Sequence, residues 1–185
     1  MRPAYDDPEL LEKTLFLSNK FKADTFFETG TYDGGTVNLI ASYFYNVISV
    51  EINEDCYNKA KSNVIHKNCK LYLGNSTEIM KDILIEEKSN IFFFLDAHLY
   101  QELPLLDELN VIYNKRLKPI IAIHDFFIPD ENNSPKFGWL EPLDFNYIKS
   151  SIELIYGENG YEIEYSTVSI PSINSGTIFI FPKIQ

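Results

Sequence analysis

The sequence predicts a doubly wound α/β fold, a mostly parallel sheet with helices on both faces, and three observations carry that expectation. Short β-type runs alternate with segments of helical period almost without interruption. The segment Phe26-Phe27-Glu28-Thr29-Gly30-Thr31-Tyr32-Asp33-Gly34-Gly35 runs apolar into acidic, crosses two glycines four apart, and leads into an amphipathic stretch. That order reads as a strand, a tight turn and a helix opening. The chain closes on two further β-type runs, Tyr161 to Tyr165 and Gly176 to Phe181, joined by a Ser/Pro/Asn loop that reads as an antiparallel hairpin. Five earlier runs and this hairpin together make a Rossmann-like, seven-stranded sheet.

The elements follow in order. Asp7-Pro8 starts a helix with Leu10, Thr14, Leu17 and Phe21 on its inner face. Asp24 to Glu28 is the first strand, and Val37, Ile40, Ala41 and Phe44 share one face of the next helix. Asn46 to Glu51 is the second strand, followed by a polar helix from about Glu54 to His66. Lys70 to Leu73 is a short third strand. Gly74-Asn75-Ser76 then turns into a helix carrying Ile79, Met80, Ile83 and Leu84. Asn90 to Leu95 is apolar throughout, as a central strand buried on both faces requires. Leu105, Leu106, Leu109, Ile112 and Tyr113 give the clearest helical periodicity. Pro119 to Ile123 is the fifth strand, and Phe145, Ile148, Ile152 and Ile155 mark the last helix.

The chain's 185 residues fit a single domain, residues 1–185, with a sizeable core. Hydrophobic content of 45% and aromatic content of 15% exclude general disorder. The formal charge of −11 and the absence of a basic stripe argue against a nucleic-acid partner. No apolar run is long enough to span a bilayer, and the N-terminus lacks a signal-peptide core, so a soluble cytoplasmic protein is expected. Cys56 and Cys69 have neither C-x-x-C nor metal-framework spacing and read as reduced thiols.

Ligands of an open α/β sheet bind beyond the carboxyl ends of its strands. Those ends here are Glu28, Glu51, Gly74-Asn75-Ser76, Asp96-Ala97-His98 and His124-Asp125. Five strands thus deliver polar or ionisable groups to one edge. The turn Glu28-x-Gly30-x-x-x-Gly34, with Thr31 inside it, lacks the G-x-G-x-x-G that brings a backbone onto a pyrophosphate. A carboxylate there repels phosphate and suits a ligand bearing an amino group and a sulfonium. S-adenosylmethionine is therefore expected before NAD. Glu51, about twenty residues past the turn, is placed to accept from ribose hydroxyls. Asn75 and Ser76 are candidates for the adenine edge, and Ser76 is equally a helix cap.

Glu28-Thr29-Gly30 with Gly34, Val50-Glu51, Gly74-Asn75-Ser76, Leu95-Asp96-Ala97-His98 and Ile123-His124-Asp125 together resemble a class I S-adenosylmethionine-dependent methyltransferase over nearly the whole chain. Within that class the chain is similar to divalent-metal-dependent O-methyltransferases of small molecules and sugars. The resemblance implies S-adenosylmethionine and a divalent cation, Mg²⁺ or similar, held by Asp96, His124 and Asp125. His124 departs from the family pattern, which has a carboxylate there, and hard Mg²⁺ prefers oxygen ligands. His98, two residues past Asp96, is the candidate base for an acceptor hydroxyl. The expected function is methyl transfer to a hydroxyl of a small molecule or saccharide. A nucleotide-binding oxidoreductase and a non-catalytic cofactor-binding protein on the same fold are the alternatives. The long connection from Asp125 to about Phe145, with Phe126, Phe127, Phe137 and Trp139 beside Asn132, Asn133 and Lys136, reads as a substrate lid, and Phe126 and Phe127 read equally as pins of that loop to the core. Tyr5 is a further candidate to fold over the site.

Overall fold

The computed structural model describes residues 4–84, 90–97, 103–127, 143–167 and 176–184. Seven strands form one sheet: β1 (Thr25–Thr29), β2 (Asn46–Glu51), β3 (Cys69–Leu73), β4 (Ile91–Leu95), β5 (Ile120–Phe126), β6 (Tyr161–Thr167) and β7 (Gly176–Pro182). Their order is β3-β2-β1-β4-β5-β7-β6. The first five are mutually parallel; β7 runs antiparallel to both β5 and β6. The reversal of strand order lies between β1 and β4, so the carboxyl ends of those two strands bound the switch-point crevice.

The helices are α1 (Pro8–Phe21), α2 (Gly35–Ile40), α3 (Glu54–Asn63), α4 (Ser76–Ile83), α5 (Leu105–Asn114) and α6 (Phe145–Tyr156). Asp7 caps α1 by accepting from the Glu9 amide, with Pro8 at the first turn, where its missing N–H costs nothing. Leu10 and Leu17 of α1 and Val37 and Ile40 of α2 pack with Phe26, Val47, Phe92, Phe94 and Phe179 on one face of the sheet. Met80, Leu109, Ile112, Ile148 and Ile152 of α4, α5 and α6 pack with Phe27, Ile48, Phe93, Ile121 and Ile180 on the other. Every residue of β1 and of β4 is buried, because helices cover both sides of these central strands. Among the described residues no helix is long and apolar enough to cross a membrane.

Three expectations need correction. Tyr5 is core and not cover: it is fully buried, its ring sits edge-on to Phe94 at 4.9 Å, and its hydroxyl is 3.0 Å from Thr14 Oγ1. The buried stripe of α5 is Leu105, Glu108, Leu109, Val111 and Ile112, while Leu106 and Tyr113 are exposed. Helical geometry places residue 108 beside 105, 109 and 112, so an acid occupies the core face. The third correction concerns β5. It does not stop at Ile123 but continues to Phe126 through a bulge, which shapes the site described next.

Candidate active site at the carboxyl edge of the sheet

The bulge follows from the pairing of β5 with β7. Ile123 pairs with Ile178 and Phe126 with Gly176, so His124 and Asp125 together oppose the single residue Thr177. Asp125 takes up the extra length with a left-handed φ of 52°. In an unbroken strand, consecutive side chains point to opposite faces. The bulge cancels that alternation. Phe126 returns to the same core as Ile123, and His124 and Asp125 both reach Asp96 at the end of β4. One ligand atom from each of these three residues lies within 4.8 Å of the other two. His124 Nε2 is 3.6 Å from Asp125 Oδ1, and its Nδ1 is 3.0 Å from Thr177 Oγ1. Two carboxylates and an imidazole this close are a donor set that fits a divalent ion.

The glycine turn abuts the same point. Gly30, at φ 87°, lies so near β4 that a Cβ on it would stand 2.5 Å from the Asp96 carbonyl oxygen. Gly34, at φ 81°, is the residue before α2, and a Cβ there would meet Val64 at 2.8 Å. Glu51 ties this turn to β2: its carboxylate accepts from the Tyr32 amide at 2.7 Å and the Asn53 amide at 2.8 Å. Thr31 Oγ1 lies 2.6 Å from Ser49 Oγ, whose hydroxyl donates to Glu28 Oε2 at 2.6 Å. Glu28 is therefore beneath the turn, 1% exposed, rather than at its mouth. Burial pushes its carboxyl well above the usual range, opposed by the Ser49 hydroxyl and reinforced by Asp96 and Glu51.

Asn75, not Ser76, caps α4, accepting from the Thr77 and Glu78 amides. Ser76 instead turns inward and donates to Glu108 Oε1 at 2.5 Å. Glu108 lines a recess together with Asp96, His124, Asp125, Leu103 and Leu143. Sequence reasoning missed it. The signal was available, because an acid flanked by Leu105, Leu109 and Ile112 at helical spacing must either break the stripe or be buried with a partner. His98 lies outside the described residues, as do Asn132, Asn133, Lys136, Phe137 and Trp139 of the expected lid. Of that connection, Phe126 is core, and the Phe127 amide donates to the Leu143 carbonyl at 2.8 Å, bringing its two ends together beside the recess.

Burial pushes the Glu108 carboxyl up to about 7, against the pull of the Ser76 and Thr29 hydroxyls, and Asp107 and Asp96 add to the rise. In the unfolded chain a glutamate titrates near its ordinary value of about 4.3. The folded state therefore holds this proton through the window between the two values, and stability falls as pH rises through it. Glu108→Gln keeps an acceptor for Ser76 and removes the titration. The variant is expected to gain about 3 kcal/mol on the parent between roughly pH 4 and pH 8, following the size of the shift. Urea unfolding at both pH values measures this; an equal gap at the two would contradict the assignment.

Solved structures share this architecture. An O-methyltransferase from Bacillus cereus in complex with SAH is 19% identical, with 98% of this chain and 84% of that chain covered and a TM-score of 0.68. The O-methyltransferase TomG from Streptomyces achromogenes, involved in tomaymycin synthesis and in complex with SAM, is 11% identical, with 94% and 79% covered and a TM-score of 0.65. A precorrin-8w decarboxylase from Methanobacterium thermoautotrophicum is 12% identical, with 94% and 90% covered and a TM-score of 0.59. No protein-family model matches the chain, and no curated protein matches its sequence. The fold is that of the Rossmann-like class I methyltransferases, with its C-terminal antiparallel hairpin. At such identities the likeness fixes architecture, and the reaction has to be argued from the residues of the site.

Proposed function

We propose that the protein transfers the methyl group of S-adenosylmethionine to a hydroxyl of a small molecule or saccharide, with a divalent cation at Asp96, His124 and Asp125. The observation that carries this reading is the convergence of that acid–imidazole cluster with the glycine turn at the switch point of the sheet. Glu51, Asp96 and Asp125 bring three carboxylates to this edge, while Glu28 and Glu108, whose carboxyls burial pushes up, add less charge. Such a site repels phosphates and attracts cations, which suits both a sulfonium and a metal ion and disfavours a pyrophosphate cofactor. The structural neighbours named as O-methyltransferases with SAH or SAM bound lend the same support.

Each residue has a role in this reading. The turn from Gly30 to Gly34, with Thr31 held by Ser49, receives the methionine end of the cofactor, and Gly30 lets that turn approach Asp96. Glu51 holds the turn through the Tyr32 amide and offers its remaining lone pairs to the ribose. Asn75 and Ser76 border the adenine, Asn75 by shaping the start of α4. A bound divalent ion supplies Lewis acidity that lowers the acceptor hydroxyl's pKa. Asp96, His124 and Asp125 would hold that ion beside the turn, where an acceptor oxygen could meet the sulfonium methyl in the alignment that displacement requires. His98 is assigned to take the hydroxyl proton.

Calorimetric titration with S-adenosylhomocysteine tests the cofactor half. Saturable binding by the parent is expected, and Glu51→Ala is expected to weaken it by about 1–3 kcal/mol through lost ribose contacts and a loosened turn. No binding by the parent would remove the basis of the proposal.

A further inference from the structure

We propose that Thr177 is a positioning residue that turns His124 Nε2 toward Asp96 and Asp125, and that the site thereby prefers a first-row transition ion such as Mn²⁺ or Co²⁺ over Mg²⁺. The inference rests on the divalent-ion reading of this cluster given above. Thr177 is the one residue of β7 facing the two-residue bulge of β5, and it is fully buried. Its hydroxyl oxygen is 3.0 Å from His124 Nδ1, while Phe94 lies against the imidazole with ring centroids 5.7 Å apart. The ring is thus held by a hydrogen bond at one nitrogen and by an aromatic neighbour. Nε2 is the nitrogen left toward the carboxylates, 3.6 Å from Asp125 Oδ1.

The chemistry follows from the tautomer. When Nδ1–H donates to Thr177, the lone pair of a neutral imidazole sits on Nε2, where a metal can take it. Burial of Thr177 excludes a water that would replace its hydroxyl if it were lost. One nitrogen donor among carboxylates shifts preference away from Mg²⁺, which demands oxygen ligands, toward ions that accept imidazole.

The test compares the parent, Thr177→Val and Thr177→Ser. Mn²⁺ binding is read by electron paramagnetic resonance, Mg²⁺ by competition, and the His124 tautomer by nitrogen-15 resonances of the imidazole in the protein loaded with diamagnetic Zn²⁺. The parent is expected to bind Mn²⁺ more tightly than Mg²⁺ and to carry its ring proton on Nδ1. Thr177→Val, which keeps the β-branched shape, is expected to lose roughly 10- to 100-fold in Mn²⁺ affinity, the usual effect of removing a partner that orients a ligand. Thr177→Ser is expected to restore it. Unchanged Mn²⁺ affinity and tautomer in Thr177→Val would overturn the inference while leaving the metal reading intact. A parent that binds neither ion would overturn both. Should the valine variant fail to fold, the parent's tautomer decides: a proton on Nε2 in place of Nδ1 contradicts the proposal.

Discussion

Asp96→Asn is expected to lower methyl transfer on the order of 100-fold or more, about 2.7 kcal/mol of transition-state stabilisation, without unfolding the protein. The substitution keeps the size of the side chain and removes its charge. Asp96 is one of the three residues proposed to hold the ion, so on that reading its loss would leave only His124 and Asp125 as ligands. Stability should move the other way. The negative charge of Asp96 raises the carboxyls of both Glu28 and Glu108, so its removal relieves repulsion among buried acids. Activity and stability are thus expected to separate. Exhaustive chelation of the parent should reproduce the loss of activity, with Mn²⁺ restoring the parent and not the variant. A variant within about threefold of the parent's turnover would be too active for Asp96 to carry this role.

Gly30→Ala is expected to cost about 2–4 kcal/mol of stability and to abolish cofactor binding, through backbone strain and a contact that cannot relax. The added Cβ would stand 2.5 Å from the Asp96 carbonyl oxygen and 2.9 Å from its carbon. Neither side is free to withdraw. The Gly30 amide donates to the Val50 carbonyl at 2.9 Å, and the Asp96 amide donates to the Thr29 carbonyl at 3.1 Å. Gly157 supplies an internal control, since its φ of 88° matches that of Gly30 but nothing lies within 4 Å of a Cβ there. Gly157→Ala should therefore lose only the conformational part, about 1–3 kcal/mol at its φ of 88° and ψ of 155°. Urea midpoints of the two variants measure the difference. Equal losses would show that the close approach of the turn to β4 carries no cost.

The carboxyl-edge cluster was legible in the sequence because its members follow apolar runs that are unambiguous strands. Asn46 to Glu51 reads as a strand and is one. Asp96 follows a run, Ile91–Leu95, too apolar to lie anywhere but the centre of the sheet. What escaped depends on partners far along the chain. The bulge at His124 and Asp125 arises from the register of β5 against β7, fifty-odd residues later, and no local signal marks it. Thr177 gains its place only from that pairing. Glu108 escaped because Leu106 and Tyr113 supply a competing apolar stripe, displaced by one position from the face that is buried. Glu28 reads from the sequence as a carboxylate facing the ligand but lies beneath the turn, because Ser49, which holds it there, is on the neighbouring strand.

The most direct measurement is a crystal structure of the protein grown with S-adenosylhomocysteine and Mn²⁺, with anomalous diffraction collected to locate the metal. The nucleoside is expected against Glu51 and Asn75 and the sulfur beyond Gly30, facing Asp96. A single anomalous peak is expected, bound by Asp96, His124 Nε2 and Asp125. S-adenosylhomocysteine seated elsewhere, or a manganese peak away from these three residues, would contradict the proposed function.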